Sequence, residues 1–188
     1  MDSISLGPLR DDEIESLQRL AAEIWHVSYA GMISAEQIDY MLEQRYQPAL
    51  LRQRLARGDR MIAARVNGRL AGFAHAFPVG EGACKLDKLY VSVDLQRRGI
   101  GARLLGEVER FVRGQDCHVL MLRVNKRNDK ALAAYRKYGF EQVSELVEDI
   151  GGGFVMDDYV LAKRVREPVK NLEDNGMAER PAVIQAEP

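Results

Sequence analysis

The residues Gln96, Arg97, Arg98, Gly99, Ile100, Gly101 and Ala102 form a charged, glycine-punctuated turn. Before it, Val91 and Val93 alternate with Tyr90 and Ser92; after it, apolar positions recur at Leu104, Leu105 and Val108. A strand that feeds such a turn into a helix builds an anion site. The first helical N–H groups have no intrahelical partner, and the helix dipole adds partial positive charge there. Gly99 and Gly101 let the backbone approach a phosphate without a Cβ in the way. Arg97 and Arg98 can add charge-assisted hydrogen bonds. From chemistry alone, the segment reads as a pyrophosphate cradle.

Three other readings compete. In a dinucleotide-binding fingerprint the third glycine would stand where this chain has Leu104, and no acidic residue ends a strand about 20 residues further on. A nucleoside-triphosphate loop needs a glycine-lysine-serine or -threonine sequence, which is absent. A plain turn with solvated arginines is the third. The balance moves toward the cradle because of a second block, Val124 to Ala131 and Tyr135 to Phe140, in which an asparagine-led helix ends at Gly139-Phe140.

Together the two blocks resemble the GNAT superfamily of acyl-CoA-dependent N-acetyltransferases. The family's acyl-CoA pattern is matched by Gln96, Gly99 and Gly101, and its following pattern by Asn128, Ala131, Tyr135, Gly139 and Phe140. The likeness covers roughly Leu86 to Phe140, and the order of elements extends it to Lys163. The segment Asp149 to Tyr159, with Gly151-Gly152-Gly153 inside it, is similar to that of a small-molecule branch that includes PaiA-type polyamine acetyltransferases.

The resemblance implies an α+β fold with a central, largely antiparallel sheet flanked by helices. Its central strands splay to bind acetyl-CoA, with no metal. The backbone of Val91, Ser92 and Val93 would hold the pantetheine arm, and the N–H groups of Arg97 to Ala102 the pyrophosphate. Asn128 and Lys130 would lie beside the pantetheine or adenosine end; Asn128 as a bare helix cap is an equal reading. Tyr135 would be the general acid. A phenol with pKa near 10 can protonate a leaving thiolate whose thiol has pKa near 8.5, given contact, as rough reference values. A core aromatic is the other reading of Tyr135. For the base, Asp87, His75 and a water chain all stay open, with ion pairing and structural burial as the plainer roles of the two side chains.

The elements that must position these groups follow from periodicity. Ile4 to Arg10 predicts a strand. Asp11 and Asp12 offer a cap to a helix carrying Ile14, Leu17, Leu20, Ala21 and Ile24. Ser34 with Gln37 makes a capping-box pattern for a helix over Ala35 to Tyr46, and Pro48 opens a third helix. Met61 to Val66, the Asn67-Gly68 hairpin signal, Leu70 to Val79 and Leu86 to Val93 predict an antiparallel meander, with Asp87 sharing a face with Leu89 and Val91. A helix from Ile100 to Arg113 stops at Gly114. Val119 to Val124 is a buried strand, Asn128 caps a helix to Tyr138, and Phe140 to Asp149 pairs with Phe154 to Lys163.

The 188 residues predict one domain over 1–165 and a flexible tail over 166–188. A net charge of −1 gives no general attraction to nucleic acid. No apolar run approaches the ~18 residues that span a bilayer, and no signal peptide precedes the domain. Cys84 and Cys117 have no metal-ligand spacing, so they read as two reduced thiols of a cytoplasmic protein. The expected activity is transfer of acetyl from acetyl-CoA to a primary amine by direct attack in a ternary complex. The expected acceptor is a small molecule or polyamine. A protein N-terminus or lysine is the rival acceptor, and a non-catalytic acyl-CoA sensor the rival role. Glu36, Asp39, Glu43, Glu145, Glu148 and Asp149 are candidates to attract a cationic acceptor. Trp25, His26, Tyr29 and Tyr40 are candidates for its apolar wall, or simply pack the helix pair. The resemblance leaves a homodimer open.

Overall fold

The computed structural model describes residues 2–165, and the tail expected over 166–188 lies outside them. The elements run β1 (Ile4–Pro8), α1 (Ile14–Ser28), α2 (Ala35–Arg45), α3 (Pro48–Ala56), β2 (Arg60–Val66), β3 (Arg69–Gly80), β4 (Ala83–Val91), α4 (Ile100–Gly114), β5 (Val119–Asn125), α5 (Asp129–Lys137), β6 (Glu141–Gly151) and β7 (Phe154–Arg164). The strands form one seven-stranded sheet in the order β1-β2-β3-β4-β5-β7-β6. Every neighbouring pair is antiparallel except β4 and β5.

Strand alternation sorts the core into two layers. Ile62, Ala64, Ala74 and Leu86 face the stripe Ile100, Leu104, Leu105, Val108 and Val112 of α4 and Leu132 of α5. Met61, Ala63 and Phe73 face the other way, against Ile14, Leu17, Ala21, Ile24 and Trp25 of α1, Ile38 and Met41 of α2, and Leu51 of α3. Each Val, Leu, Ile, Phe or Met side chain so buried contributes about 1.5–3 kcal/mol, and each alanine less.

The start of α1 differs from the sequence expectation. Asp11 and Asp12 do not cap it; they lie in a 3₁₀ turn, Asp11–Glu13. Glu13 instead accepts the Arg10 backbone N–H at 2.9 Å and takes two hydrogen bonds of 2.6 Å from Arg65 on β2. Gly114, expected to stop α4, is its last helical residue, and Gln115 turns the chain out with extended backbone. Gly139 does end α5 as expected, at φ 84°.

The sheet opens at its centre. β4 and β5 pair only at Ala83–Val119, Cys84–Leu120 and Lys85–Met121. Beyond them β5 stays with β7 as far as Asn125–Asp158, and β4 stays with β3 as far as Val91–Gly72. The parting coincides with a bulge: the register steps between Ala76–Leu86 and His75–Lys88, leaving Asp87 as the extra residue. The bulge also breaks the expected alternation, so Asp87 does not share a face with Leu89 and Val91. These two pack toward α4, whereas Asp87 bonds to His75 and Lys88.

Candidate active site

The gap between β4 and β5 leaves one edge of β4, from Leu86 to Val91, without a strand partner on that side. Its outward N–H and C=O groups, apart from Val91 O, which takes a hydrogen bond from Gln96, are open to an extended ligand. The strand ends two residues earlier than the expected Val93. Ser92 donates its N–H to Ala71 O at 2.8 Å, and Val93–Leu95 wind into a 3₁₀ turn because Val93, 39% exposed, has no core to pack on. Close approach of the strands at this point requires Gly72: a Cβ there would stand 2.8 Å from Tyr90 O and 3.3 Å from Val91 Cα.

The turn that follows has the geometry of an anion cradle. Gly99 caps α4 at φ 78°, a left-handed conformation natural only to glycine, and the first helical bond runs from Arg103 N–H to Gly99 O at 3.1 Å. The N–H groups of Ile100, Gly101 and Ala102 therefore precede the helical ladder and face its open end. Arg97 is also left-handed, at φ 62°, which is uncommon for a side-chain-bearing residue. Gln96 braces the turn by donating to Val91 O at 3.3 Å. Ile100 is buried and anchors the helix start. Arg98 reaches instead to Asp2, 2.9 Å away in an exposed pair. These residues fit a pyrophosphate and an extended thiol arm: donors at a helix end, a glycine without Cβ, and an open strand edge beside them.

On the far side of the gap, Asn128 accepts the Ala131 N–H at 3.1 Å, so its cap role holds, and Lys130 is exposed one turn along. Tyr135 packs edge-on to Phe140, ring centroids 5.5 Å apart. Burial, and next to it the nearby Tyr29, pushes its phenol well above the usual range, so it carries its proton at any ordinary pH. Tyr29 itself meets Tyr90, the hydroxyls 3.4 Å apart. Trp25 stacks tilted on Tyr29 at 4.6 Å, lies 6.0 Å from the Tyr90 ring, and donates to the Tyr46 hydroxyl at 3.2 Å. Trp25, Tyr29, Tyr46 and Tyr90 thus form one aromatic cluster between the helices and β4. His26 is outside it, 3.2 Å from Asp39.

The candidate bases are committed elsewhere. His75 is 1% exposed, with Nε2 2.7 Å from Asp59 and Nδ1 3.1 Å from Asp87. Asp87 also meets Lys88, Lys85 at 3.4 Å and Arg54 at 3.4 Å. Burial opposes its charge, but Lys88, His75 and Lys85 hold its carboxyl well below the usual range. Burial pushes Lys88 down to about 8. This cluster stitches β3, β4 and α3 together. Cys84 and Cys117 are buried with their sulfurs 2.9 Å apart, and burial raises the Cys84 thiol. Among the described residues no group of His, Cys, Asp and Glu has the arrangement of a metal site.

Most of the acidic candidates for acceptor attraction are likewise paired. Glu145 meets Lys126 at 2.8 Å, Glu148 meets Arg123 at 2.6 Å, and Asp149 accepts the Gly151 N–H. Glu36 stands over the start of α2, and Glu43 lies on a groove between α1 and α2. The sequence reading missed Asp158. It sits on β7 opposite Asn125, is 7% exposed, and is close enough to Tyr29 to affect its ionisation. Its signal was the alternation Met156, Asp158, which puts both on the α1 face.

Hydrogen bonds tie the β6–β7 hairpin and the segment before α5 to the α1–α2 pair. Tyr40 donates to Ile150 O at 3.0 Å and Gln37 to Val155 O at 2.9 Å, docking the β6–β7 hairpin on α2. Gly151 and Gly152 make that contact possible, since a Cβ on them would stand 2.5 and 3.0 Å from Tyr40. Arg127, before α5, donates to Gly31 O at 2.7 Å in the α1–α2 loop.

A sheet parted at its centre, beside a glycine-capped helix end, has a counterpart among known proteins. The profile of the acetyltransferase (GNAT) family matches residues 17–140. The chain belongs to this family. It is an N-acetyltransferase with acetyl-CoA as its acyl-donor cosubstrate. The chain is 26% identical over 167 residues to a spermidine N(1)-acetyltransferase of Thermoplasma acidophilum, covering 86% of this chain and 98% of that one. It is 36% identical over 102 residues to the N-alpha-acetyltransferase RimI of Mycobacterium tuberculosis, covering 52% of this chain and 63% of that one. In fold it matches the PaiA N-acetyltransferase of Thermoplasma acidophilum, solved with coenzyme A. The TM-score is 0.73 and the identity 24%, over 86% of this chain and 99% of that one. No helix among the described residues of this acetyltransferase is long and apolar enough to cross a membrane.

Proposed function

We propose that the acceptor is the primary amine of a small cationic molecule of the polyamine class. The observation that carries this reading is the set of hydrogen bonds that tie the β6–β7 hairpin and the segment before α5 to the α1–α2 pair. The β6–β7 hairpin is bound to α2 through Tyr40 and Gln37, and the α1–α2 loop is bound to Arg127. A peptide needs an open groove, whereas segments tied together in this way beside an aromatic cluster suit a slender alkylamine. Similarity along nearly the whole length of a spermidine acetyltransferase supports the same reading.

Acetyl-CoA supplies a thioester whose carbonyl carbon takes the amine and whose sulfur leaves. The chain's own groups do the rest. The N–H groups of Arg97 to Ala102 receive the pyrophosphate, and the β4 edge at Val91 holds the pantetheine arm in line with the gap. Holding both reactants converts a bimolecular encounter into an oriented one. Tyr135, kept neutral by burial, donates its proton to the departing sulfur. The attacking nitrogen loses its proton to water, since His75 and Asp87 are closed in their ion network.

The test is thiol release from acetyl-CoA with spermidine, simple diamines and N-terminal peptides at matched concentration. Faster release with spermidine or diamines is expected. Preference for a peptide would move the acceptor to a protein N-terminus or lysine, and acetyl-CoA binding without any transfer would leave a sensor.

A further inference from the structure

We propose that Asp158 is the carboxylate that receives the acceptor's ammonium group, an inference that rests on the small cationic amine reading above. Asp158 lies on β7 opposite Asn125, where β5 has already parted from β4. Its neighbour on the same face, Met156, packs against the α1–α3 layer, so strand alternation turns the Asp158 side chain to that face, toward Tyr29. More than nine-tenths of the residue is buried, and its Oδ1 accepts no hydrogen bond among the described residues.

A buried carboxylate oxygen without a donor is costly, and native folds rarely keep one that has no use. The charged groups that act on Asp158 do not satisfy that oxygen. Arg123 of β5 is taken by Glu148 of β6 at 2.6 Å. Arg45 at the end of α2 acts on it from beyond hydrogen-bond reach, and Glu148 and Asp157 add negative charge. Burial, against the pull of Arg123 and Arg45, pushes its carboxyl up to about 6, so it is an anion under alkaline assay conditions. Near it stands Tyr29, on which the Trp25 ring packs and whose hydroxyl meets that of Tyr90. A carboxylate that lacks a donor, next to aromatic faces, is the chemistry that selects an alkylammonium: charge-assisted hydrogen bonds to the head and ring faces around its methylenes. Tyr29 lies close to both Asp158 and Tyr135, so an ammonium held by Asp158 leaves the other, neutral amine of the acceptor to reach the thioester beside the acid.

The experiment compares wild type and Asp158→Asn in two readouts at pH 8. The first is the kinetics with spermidine, and the second is the thermal shift caused by spermidine on the protein saturated with coenzyme A. Expected are a KM for spermidine at least tenfold higher in Asp158→Asn, a smaller change in kcat, a KM for acetyl-CoA within twofold, and a lost spermidine shift. Asp158→Glu, which keeps the charge, recovers part of the affinity and serves if Asp158→Asn does not fold. An unchanged KM and an unchanged shift overturn the assignment. If wild type turns over no amine yet spermidine shifts it and not the variant, the function reading fails while the anchor stands. If spermidine neither reacts nor shifts wild type, both fall.

Discussion

The hydroxyls of Tyr29 and Tyr90 lie 3.4 Å apart and join the end of α1 to the open strand edge of β4. Burial raises both phenols, so this contact is between neutral groups. Tyr135 senses Tyr29 from the opposite side of the gap. Neutral phenols from the end of α1, β4 and α5 thus lie close together, and Tyr135, the proposed acid, is the one that stands on the β5 side of the gap.

Removing the Tyr135 hydroxyl alone isolates that role. Tyr135→Phe keeps the edge-on contact with Phe140. General acid catalysis contributes typically 10²–10⁴-fold, so kcat is expected to fall about 10²-fold or more. The dissociation constant for acetyl-CoA, from calorimetry, should stay within twofold. Equal turnover in the variant removes Tyr135 from the mechanism.

Gly72 is a second test, because it lets β3 and β4 approach where the sheet opens. Gly72→Ala forces a methyl to within 2.8 Å of Tyr90 O, a backbone atom that cannot turn aside. Overpacking of this kind costs about 1–3 kcal/mol. The shift of Tyr90 and Val91 should also weaken coenzyme A binding. Denaturant melts and calorimetry read the two effects separately, and a variant unchanged in both would show that β4 yields freely there.

How much of this was legible in sequence depended on whether local chemistry or strand parity decided the matter. The cradle was legible because glycines, arginines and a 3.6-residue apolar stripe all lie within one short segment, Gln96 to Val108. The Ser34 and Asn128 caps were legible for the same reason, and both side chains accept the expected backbone N–H. The anchor was not. Asp157 and Asp158 are identical neighbours, and only the register with β5 sends one out to Lys126 and the other toward Tyr29. The Asp87 bulge was equally hidden, since a single extra residue inverts the faces of a strand without changing its composition. Paired carboxylates misled in the opposite direction. Glu145 and Glu148 look available in sequence, yet Lys126 and Arg123 claim them from β5 and its following turn.

The buried pair Glu13–Arg65 should carry much of the attachment of α1 to β2. Its side chains are 8% and 10% exposed. Arg65→Met leaves Glu13 buried without its partner and is expected to cost about 3–5 kcal/mol, whereas Glu13→Leu with Arg65→Met together should restore most of it. Burial pushes the Glu13 carboxyl up, but hydrogen bonds from Arg65 and the Arg10 backbone leave it net below 4.5. A carboxylate depressed in the folded state stabilises above its unfolded pKa, and that contribution is lost as pH falls through the folded value. The wild type should therefore lose stability in acid more steeply than the double variant. Parallel acid titrations of unfolding would refute the assignment.

Asp158 predicts the opposite sign. Burial holds its carboxyl up at about 6, against an ordinary 3.8. Between those values the folded chain binds more protons than the unfolded one. The stabilisation from this group is present in full below the unfolded pKa and is lost as pH rises through about 6. Asp158→Asn abolishes the titration and keeps the shape. The variant should thus gain on wild type from pH 4 to pH 7.5, by about 1–3 kcal/mol, one pKa unit being worth about 1.4 kcal/mol. Urea unfolding of both proteins across that range, without amine, measures the difference. A difference that grows with pH marks a residue retained at a cost to stability, as a substrate anchor would be. A constant difference would mean that Asp158 ionises in the fold as it does in water, so its carboxylate would already be solvated or paired rather than held unpaired for an ammonium.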